Sequence, residues 1–168
     1  MNLNIKNLEN DLIVIAKKVG SKILYYKKNN LIRYKKRGSQ VKSNIDIECE
    51  NLWIKNLKKK YKNLNILSEE SYNNKEKIDK TWSGFVIDPI DGTRSLVSNY
   101  KSYVTQIAFI AYGKIKYGLI YNPETKEIYS NYFGNRNKFK SENKKLNCII
   151  DNYPIPNLKI KKIINELQ

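Results

Sequence analysis

The sequence predicts an α+β fold in which two helices pack on a mostly antiparallel sheet. Two long stretches in the first third of the chain repeat apolar residues at helical spacing. The stretches that follow alternate or run apolar over short segments separated by turn residues, which is typical of strands. With 168 residues, of which 40% are hydrophobic, the chain is long enough to bury one core. We therefore expect a single domain over residues 1–168.

The first predicted helix runs from about residue 3 to residue 28. Its apolar residues recur on one face, and its outer face is rich in lysine. The inward residues are Leu8, Leu12, Ile15, Ala16, Val19, Ile23 and Leu24. Residues 29–43 are polar and predict a loop or a short hairpin.

Ser43 or Asn44 is expected to cap a second helix that ends near Lys60, because both residue types accept hydrogen bonds from a helix N-terminus. Trp53 on this helix is interpreted as a core residue. The other residues predicted to face inward are Ile47, Leu52, Ile54 and Leu57.

Strands and turns follow the second helix. The turn residues between the later strands predict an antiparallel meander. The predicted strands are 64–67, 85–87, 103–110, 115–121, 127–132 and 148–150, and a short basic helix is predicted at 158–167.

Two acids meet at one bend after the apolar run 85–87. This run predicts a buried strand that delivers Asp88 to its end, where Pro89 and Gly92 turn the chain. Asp88 and Asp91, with the carbonyl of Ile90, would then supply the hard oxygen ligands that magnesium prefers. An ordinary surface turn is the alternative interpretation, because Asp, Pro and Gly are common turn residues.

Two further features support a site at this bend. Gly92 and Thr93 predict a helix start, where free N–H groups and a hydroxyl can bind phosphate. Upstream, the apolar stretch 64–67 also ends in two acids, Glu69 and Glu70. Two strands that each end in acids predict one shared site.

These motifs resemble the magnesium-dependent inositol monophosphatase superfamily, which includes bisphosphate nucleotidases of the CysQ kind. The resemblance rests on Leu-Ser-Glu-Glu-Ser at 67–71 and on residues 82–96, with Asp-Pro-Ile-Asp-Gly-Thr at 88–93. It continues through 104–108, 118–123 and a weakened glycine-phenylalanine loop at 134–146. The fold implied is the N-terminal αβ part of that family's αβαβα sandwich.

The resemblance implies a role for each matching residue. Glu69, Asp88 and the Ile90 carbonyl would bind a first Mg²⁺, and Asp91 would hold a second. Glu70 and Thr93 would orient the attacking water, and Gly92 with Thr93 would bind the substrate phosphate. Metal ions are needed because an anionic phosphate ester repels a nucleophile.

The chain departs from the family pattern at two places. Asn44 aligns where the family has an aspartate, so a supporting acid is lost unless Asp46 takes its place. The family's downstream Trp-Asp-x-Ala-Ala-Gly motif, whose aspartate completes the metal site, is absent before Gln168. We therefore expect a truncated or split member with one sheet face exposed, and a second copy or a C-terminal partner chain as its partner.

The expected activity is Mg²⁺-dependent hydrolysis of a small phosphorylated metabolite by metal-activated water. The substrate is expected to be a 3′,5′-bisphosphate nucleotide or an inositol or sugar monophosphate. Arg94 after Thr93 slightly favours the CysQ-like branch, although an exposed residue at a helix start explains it equally well.

Charge suggests one alternative function. The net charge of +16 favours anionic partners, and a non-catalytic basic remnant could bind nucleic acid through Lys35, Lys36, Arg37 and residues 58–60. The lysines are scattered and no nucleic-acid motif is present, so we favour solvated surface. With no histidine, Ser-His-Asp catalysis is excluded within these residues.

The expected location is the cytoplasm. Cys49 and Cys148 form no disulfide framework, and no signal-peptide pattern or membrane-length apolar run is present.

Overall fold

The structure, a computed structural model, describes residues 3–37, 40–72 and 78–131. The loop at 134–146, the strand at 148–150 and the helix at 158–167 that the sequence predicts lie outside these residues. The helices are α1 (Ile5–Lys28), α2 (Asn44–Lys60) and α3 (Thr93–Val97). The strands are β1 (Tyr34–Arg37), β2 (Gln40–Ser43), β3 (Asn65–Ser68), β4 (Gly84–Asp91), β5 (Val104–Ala111), β6 (Lys114–Tyr121) and β7 (Ile128–Ser130).

The described strands form one five-stranded sheet and one separate hairpin. The sheet order is β3-β4-β5-β6-β7, with β3 parallel to β4 and the remaining pairs antiparallel. β1 and β2 form the hairpin, so of the two structures left open for residues 29–43 the hairpin is the one observed. The predicted α+β fold, with two helices on a mostly antiparallel sheet, is confirmed.

The core lies between the sheet and the two long helices. The predicted stripe of α1 is confirmed, since all its residues are buried except Leu24, which is half-buried. Asn4 caps α1 by accepting hydrogen bonds from the N–H groups of Lys6 and Asn7. None of the helices that the structure describes is both long enough and apolar enough to span a membrane.

The buried face of α2 differs from the predicted one. Ile47 is 55% exposed, so its predicted inward position is wrong, and Leu52 and Ile54 are only half-buried. A helix turns about 100° per residue, so Ile47 lies on the opposite side from Ile45. The stripe that packs on the sheet is Ile45, Cys49, Trp53 and Leu57.

Strand β4 is longer than predicted. It does not end at Asp88 but continues to Asp91, and a register shift against β5 lies between these two residues. Pro89 has no N–H to donate, and a bulge is one of the few places where a sheet tolerates proline. The chain turns only at Gly92.

The sheet face away from α1 and α2 is open and apolar. Ile115 is 71% exposed and Ile120 is 38% exposed, and both line a broad depression of about 1270 Å³. Leu67, Val86 and Ala108 contribute to the same depression, which reaches Glu69 and Asp88 at one end. The expectation that an exposed face is meant for the rest of the family domain stays a prediction.

A buried hydrogen bond joins α2 to the sheet. Trp53 Nε1 donates to Thr105 Oγ1 over 2.8 Å, and both residues are fully buried. The predicted core position of Trp53 is thereby confirmed. The hydroxyl gives the indole N–H a partner that water cannot supply there.

Replacing Thr105 with valine should leave the Trp53 N–H buried without a partner. We expect the free energy of unfolding to fall by about 1–3 kcal/mol, measured by urea denaturation. Thr105→Ser, which keeps the hydroxyl, is the matched control and should lose less. A Thr105→Val chain as stable as the parent would contradict this account of the α2–sheet contact.

Candidate metal centre

The parallel pairing of β3 and β4 brings Glu69 and Asp88 together. Ser68 is in register with Ile87, so the next residue on each strand is an acid. The Glu69 N–H donates to the Ile87 carbonyl over 3.1 Å and extends the pairing past the end of β3. The carboxyl groups of Glu69 and Asp88 share a hydrogen bond.

Both carboxyl groups hold protons more tightly than usual. Burial of its carboxyl group, followed by the negative charge of Asp88, raises the pKa of Glu69 to about 7. Burial also raises the pKa of Asp88. A hydrogen bond between two carboxyl groups needs a proton on one of them, and like charges at this distance oppose double ionisation.

Asp91 is connected to Asp88 through Gln106. The Gln106 amide Nε2 donates to Asp88 Oδ2 over 3.3 Å and to Asp91 Oδ2 over 3.2 Å. Gln106 lies in the segment 104–108 that resembles the family, and the resemblance implies no role for it. Gln106 is in register with Asp88 on the neighbouring strand β5, and this pairing depends on the tertiary fold and not on a sequence pattern.

Asp46 links helix α2 to the site. Its Oδ2 accepts from the Ser43 N–H over 2.7 Å and from Ser43 Oγ over 2.8 Å. Thr93 Oγ1 lies 3.1 Å from Asp46 Oδ1 and 2.9 Å from the Ile90 carbonyl oxygen, and its one proton can be donated to either acceptor. Burial raises the pKa of Asp46 to about 6, so burial outweighs the hydrogen bonds that favour the ionised form.

The Asn44 side chain forms hydrogen bonds with the segment that precedes β1. Its side chain accepts from the Arg33 N–H over 2.8 Å and donates to the Leu31 carbonyl over 3.1 Å, which closes the base of the hairpin. The structure therefore places Asp46, and not Asn44, against Thr93. Asp46 is the residue that the sequence offers as a replacement for the family's aspartate.

Glu70 is held by a lysine. Lys42 Nζ lies 2.8 Å from Glu70 Oε2. The following residue is also tied down, because the Ser71 N–H donates to Glu50 Oε1 over 3.1 Å. No spacing in the sequence pairs Lys42 with Glu70.

Gly92 makes the sharp turn into α3. Its φ is +87°, and a Cβ at this position would lie 2.8 Å from the Ser102 carbonyl oxygen. Both facts require glycine. The expected phosphate-binding role of Gly92 and Thr93 stays a prediction.

The residues present are compatible with magnesium. Within 3–37, 40–72 and 78–131, no group of three or more His, Cys, Asp or Glu side chains is arranged to hold a metal ion. Magnesium is commonly held by only one or two carboxylates together with waters and substrate phosphate. Glu69, Asp88 and the Ile90 carbonyl would form such a set. Burial first, and then the charges of neighbouring acids, raise the pKa values of Asp46, Glu69 and Asp88.

Most of this chain is similar to proteins of one known family. Residues 6–160 match the model of the inositol monophosphatase family. Inositol monophosphatase 2 of Saccharomyces cerevisiae is 26% identical over 136 residues, which is 78% of this chain and 46% of the relative. The 3′(2′),5′-bisphosphate nucleotidase CysQ of Buchnera aphidicola is 28% identical over 137 residues, or 75% of this chain and 51% of the relative.

Solved structures show the same fold. The IMPase of Thermotoga maritima superposes with a TM-score of 0.66 at 24% identity, over 76% of this chain and 49% of that protein. The chain thus spans about half the length of the relatives it matches.

The raised pKa values predict that the metal-free chain loses stability as pH rises. The folded state binds protons at Asp46 and Glu69 that the unfolded state, with model values of 3.8 and 4.5, has already released. Their contribution is therefore present at low pH and is lost as pH rises towards about 7. The shift of the Asp46 pKa from 3.8 to about 6 corresponds to about 3 kcal/mol.

Thermal unfolding in a chelator, followed by circular dichroism between about pH 5 and pH 8, measures this effect. We expect the melting temperature to fall over this range and to fall less in Asp46→Asn. Added Mg²⁺ should restore stability mainly at the upper end of the range. A melting temperature that rises over the range in chelator would refute the proposed protonation of these acids.

Proposed function

The chain belongs to the inositol monophosphatase family, and on that premise we propose that it is a Mg²⁺-dependent phosphatase acting on a small phosphorylated metabolite. The observation that carries the proposal is the meeting of Glu69 and Asp88 at the adjacent ends of parallel strands. Two acidic side chains that share a proton form a pair that a divalent cation would stabilise. The donor set consists of oxygen atoms, which suits Mg²⁺.

We propose that Glu69, Asp88 and the Ile90 carbonyl hold the first Mg²⁺ and that Asp91 holds a second. When bound, Mg²⁺ would neutralise phosphoryl oxygens and lower the pKa of a bound water. The Gln106 amide keeps Asp88 and Asp91 oriented towards the same side of β4. It does so without adding charge to the site.

Glu70 and Thr93 are proposed to position the attacking water. The Thr93 hydroxyl donates to Asp46 or to the Ile90 carbonyl, so its lone pairs are left to accept a hydrogen bond from the water. Lys42 Nζ lies 2.8 Å from Glu70 Oε2 and fixes the position of this carboxyl group, which is proposed to accept the proton of the water. Gly92 and Thr93 are proposed to contact the substrate phosphate through the start of α3. No covalent enzyme intermediate is part of this scheme.

The proposed substrate is a 3′,5′-bisphosphate nucleotide or an inositol or sugar monophosphate. Support comes from the names of two relatives, one an inositol monophosphatase and the other a bisphosphate nucleotidase. The Asp-Gly-Thr-Arg run at 91–94 slightly favours the nucleotidase branch.

Residues 1–168 are proposed to belong to a single phosphatase domain. A second copy or a chain carrying the rest of the family domain is proposed to cover the open apolar face around Ile115 and Ile120. A cytoplasmic location also stays a prediction.

Phosphate release tests the activity directly. The full chain is assayed with adenosine 3′,5′-bisphosphate and with inositol 1-phosphate, with and without Mg²⁺. We expect Mg²⁺-dependent turnover that falls at least about 100-fold in Asp91→Asn, because the second metal loses its carboxylate. Asp79→Asn, at an exposed residue outside the proposed site, is the matched control.

The assay is run on size-separated fractions so that activity of an oligomer is distinguished from that of a monomer. Turnover that persists without Mg²⁺, or equally in Asp91→Asn, would reject the proposed mechanism. Absence of turnover in every fraction of folded chain would reject the proposed activity for this chain. Retention on nucleic acid that weakens with salt would then favour the basic binding module.

A further inference from the structure

Lys42 is the basic side chain that reaches into the carboxylate site from the hairpin. It lies on β2, immediately before the residue that caps α2. Its ammonium is 2.8 Å from Glu70 Oε2. The Glu70 side chain is only 10% exposed, whereas that of Lys42 is 56% exposed, so the lysine approaches a largely buried carboxylate from the solvent side.

The stability of the hairpin does not explain this arrangement. Lys42 lies directly opposite Lys35, and like charges at opposed positions disfavour strand pairing. An ion pair with one exposed partner adds little stability of its own. The hairpin base is already closed by the hydrogen bonds of Asn44 with Arg33 and Leu31.

Electrostatics around Lys42 suggest a role in the site. The hydrogen bond to Glu70 raises the pKa of Lys42, and the charges of Glu70, Glu69 and Asp46 act in the same direction. The ammonium of Lys42 therefore stays charged at neutral pH. A permanent positive charge among these acids supplies part of the charge that a divalent cation would otherwise supply.

We propose that Lys42 is a positioning residue that acts as a tethered cation: its ammonium holds the Glu70 carboxylate in place and weakens the binding of a divalent cation at Glu69 and Asp88. The inference rests on the proposed function, because that function places the cation at these two acids. The Lys42 side chain would thus have two opposite effects on the site. Lys42 lowers metal affinity while it keeps Glu70 oriented towards the attacking water.

Direct titration of the full chain with Mg²⁺, by isothermal calorimetry, tests the effect on affinity. We expect the dissociation constant to fall about tenfold in Lys42→Met, because a repulsion between a single and a double positive charge is removed. Lys42→Arg keeps the charge and should bind as the parent does. Lys36→Met removes the same charge from the other face of the hairpin and should change the constant less than about twofold.

A double-mutant cycle separates this role from a general change in net charge. In a Glu70→Gln chain Lys42 has lost its ionic partner, so the further change Lys42→Met should tighten Mg²⁺ binding by less than about threefold. Circular dichroism of each variant checks that it is folded. Equal or weaker Mg²⁺ binding by folded Lys42→Met, an equal gain in Lys36→Met, or no Mg²⁺ binding by the parent would overturn the inference.

Turnover by the same variants distinguishes this inference from the proposed function. If the chain is active, Lys42→Met should lower kcat about tenfold or more while less Mg²⁺ is needed for half-maximal rate, and Lys42→Arg should restore kcat. A kcat unchanged in Lys42→Met would overturn the positioning role. If no variant turns over substrate but the affinities follow the expected order, the proposed activity fails and the tethered-cation role stands.

Discussion

The parallel pairing of β3 with β4 is the constraint on which the rest of the site depends. Parallel strands end on the same side of a sheet, so an acid placed after each strand must meet its counterpart. The register of Ser68 with Ile87 brings Glu69 and Asp88 within hydrogen-bonding distance. An antiparallel arrangement of these two strands would have placed the two acids at opposite edges. The bulge in β4 and the amide of Gln106 then set Asp91 beside Asp88.

Asp46 connects this sheet edge to the helical layer. One carboxylate oxygen holds Ser43 at the start of α2, while the other accepts from the Thr93 hydroxyl. Packing of Ile45, Cys49 and Trp53 against the sheet fixes the rotation of α2. The core thereby determines where Asp46 lies, and the raised pKa of Asp46 is the cost of that buried position.

Much of the fold was accessible from the sequence because it rests on local periodicity. The stripe of α1, the caps near Ser43 and the meander of β5 to β7 follow from residue spacing and turn chemistry. Ile47 was misplaced because an apolar residue on a helix does not reveal which of two possible faces is buried. The extension of β4 to Asp91 was missed because Pro89 normally interrupts a strand, and a bulge depends on the partner strand.

Fewer of the site residues than of the fold elements could be predicted from the sequence, because several of them come together only in the tertiary fold. Glu69, Asp88 and Asp91 follow apolar runs, so their location at strand ends could be inferred from the sequence alone. Gln106 reaches Asp88 from β5, Lys42 reaches Glu70 from the hairpin, and Asp46 reaches Thr93 from α2. Such contacts depend on tertiary register, which no local pattern in this chain encodes.

The central claim is that Glu69 and Asp88 form a proton-holding pair that exchanges its proton for a divalent cation. Calorimetric titration with Mg²⁺ in buffers of different ionisation enthalpy counts the protons released on binding. The account predicts about one proton released per Mg²⁺ at about pH 6 and almost none at about pH 8.5, since the pKa of Glu69 is about 7. Mg²⁺ binding without proton release at the lower pH, or no Mg²⁺ binding at either pH, would contradict it.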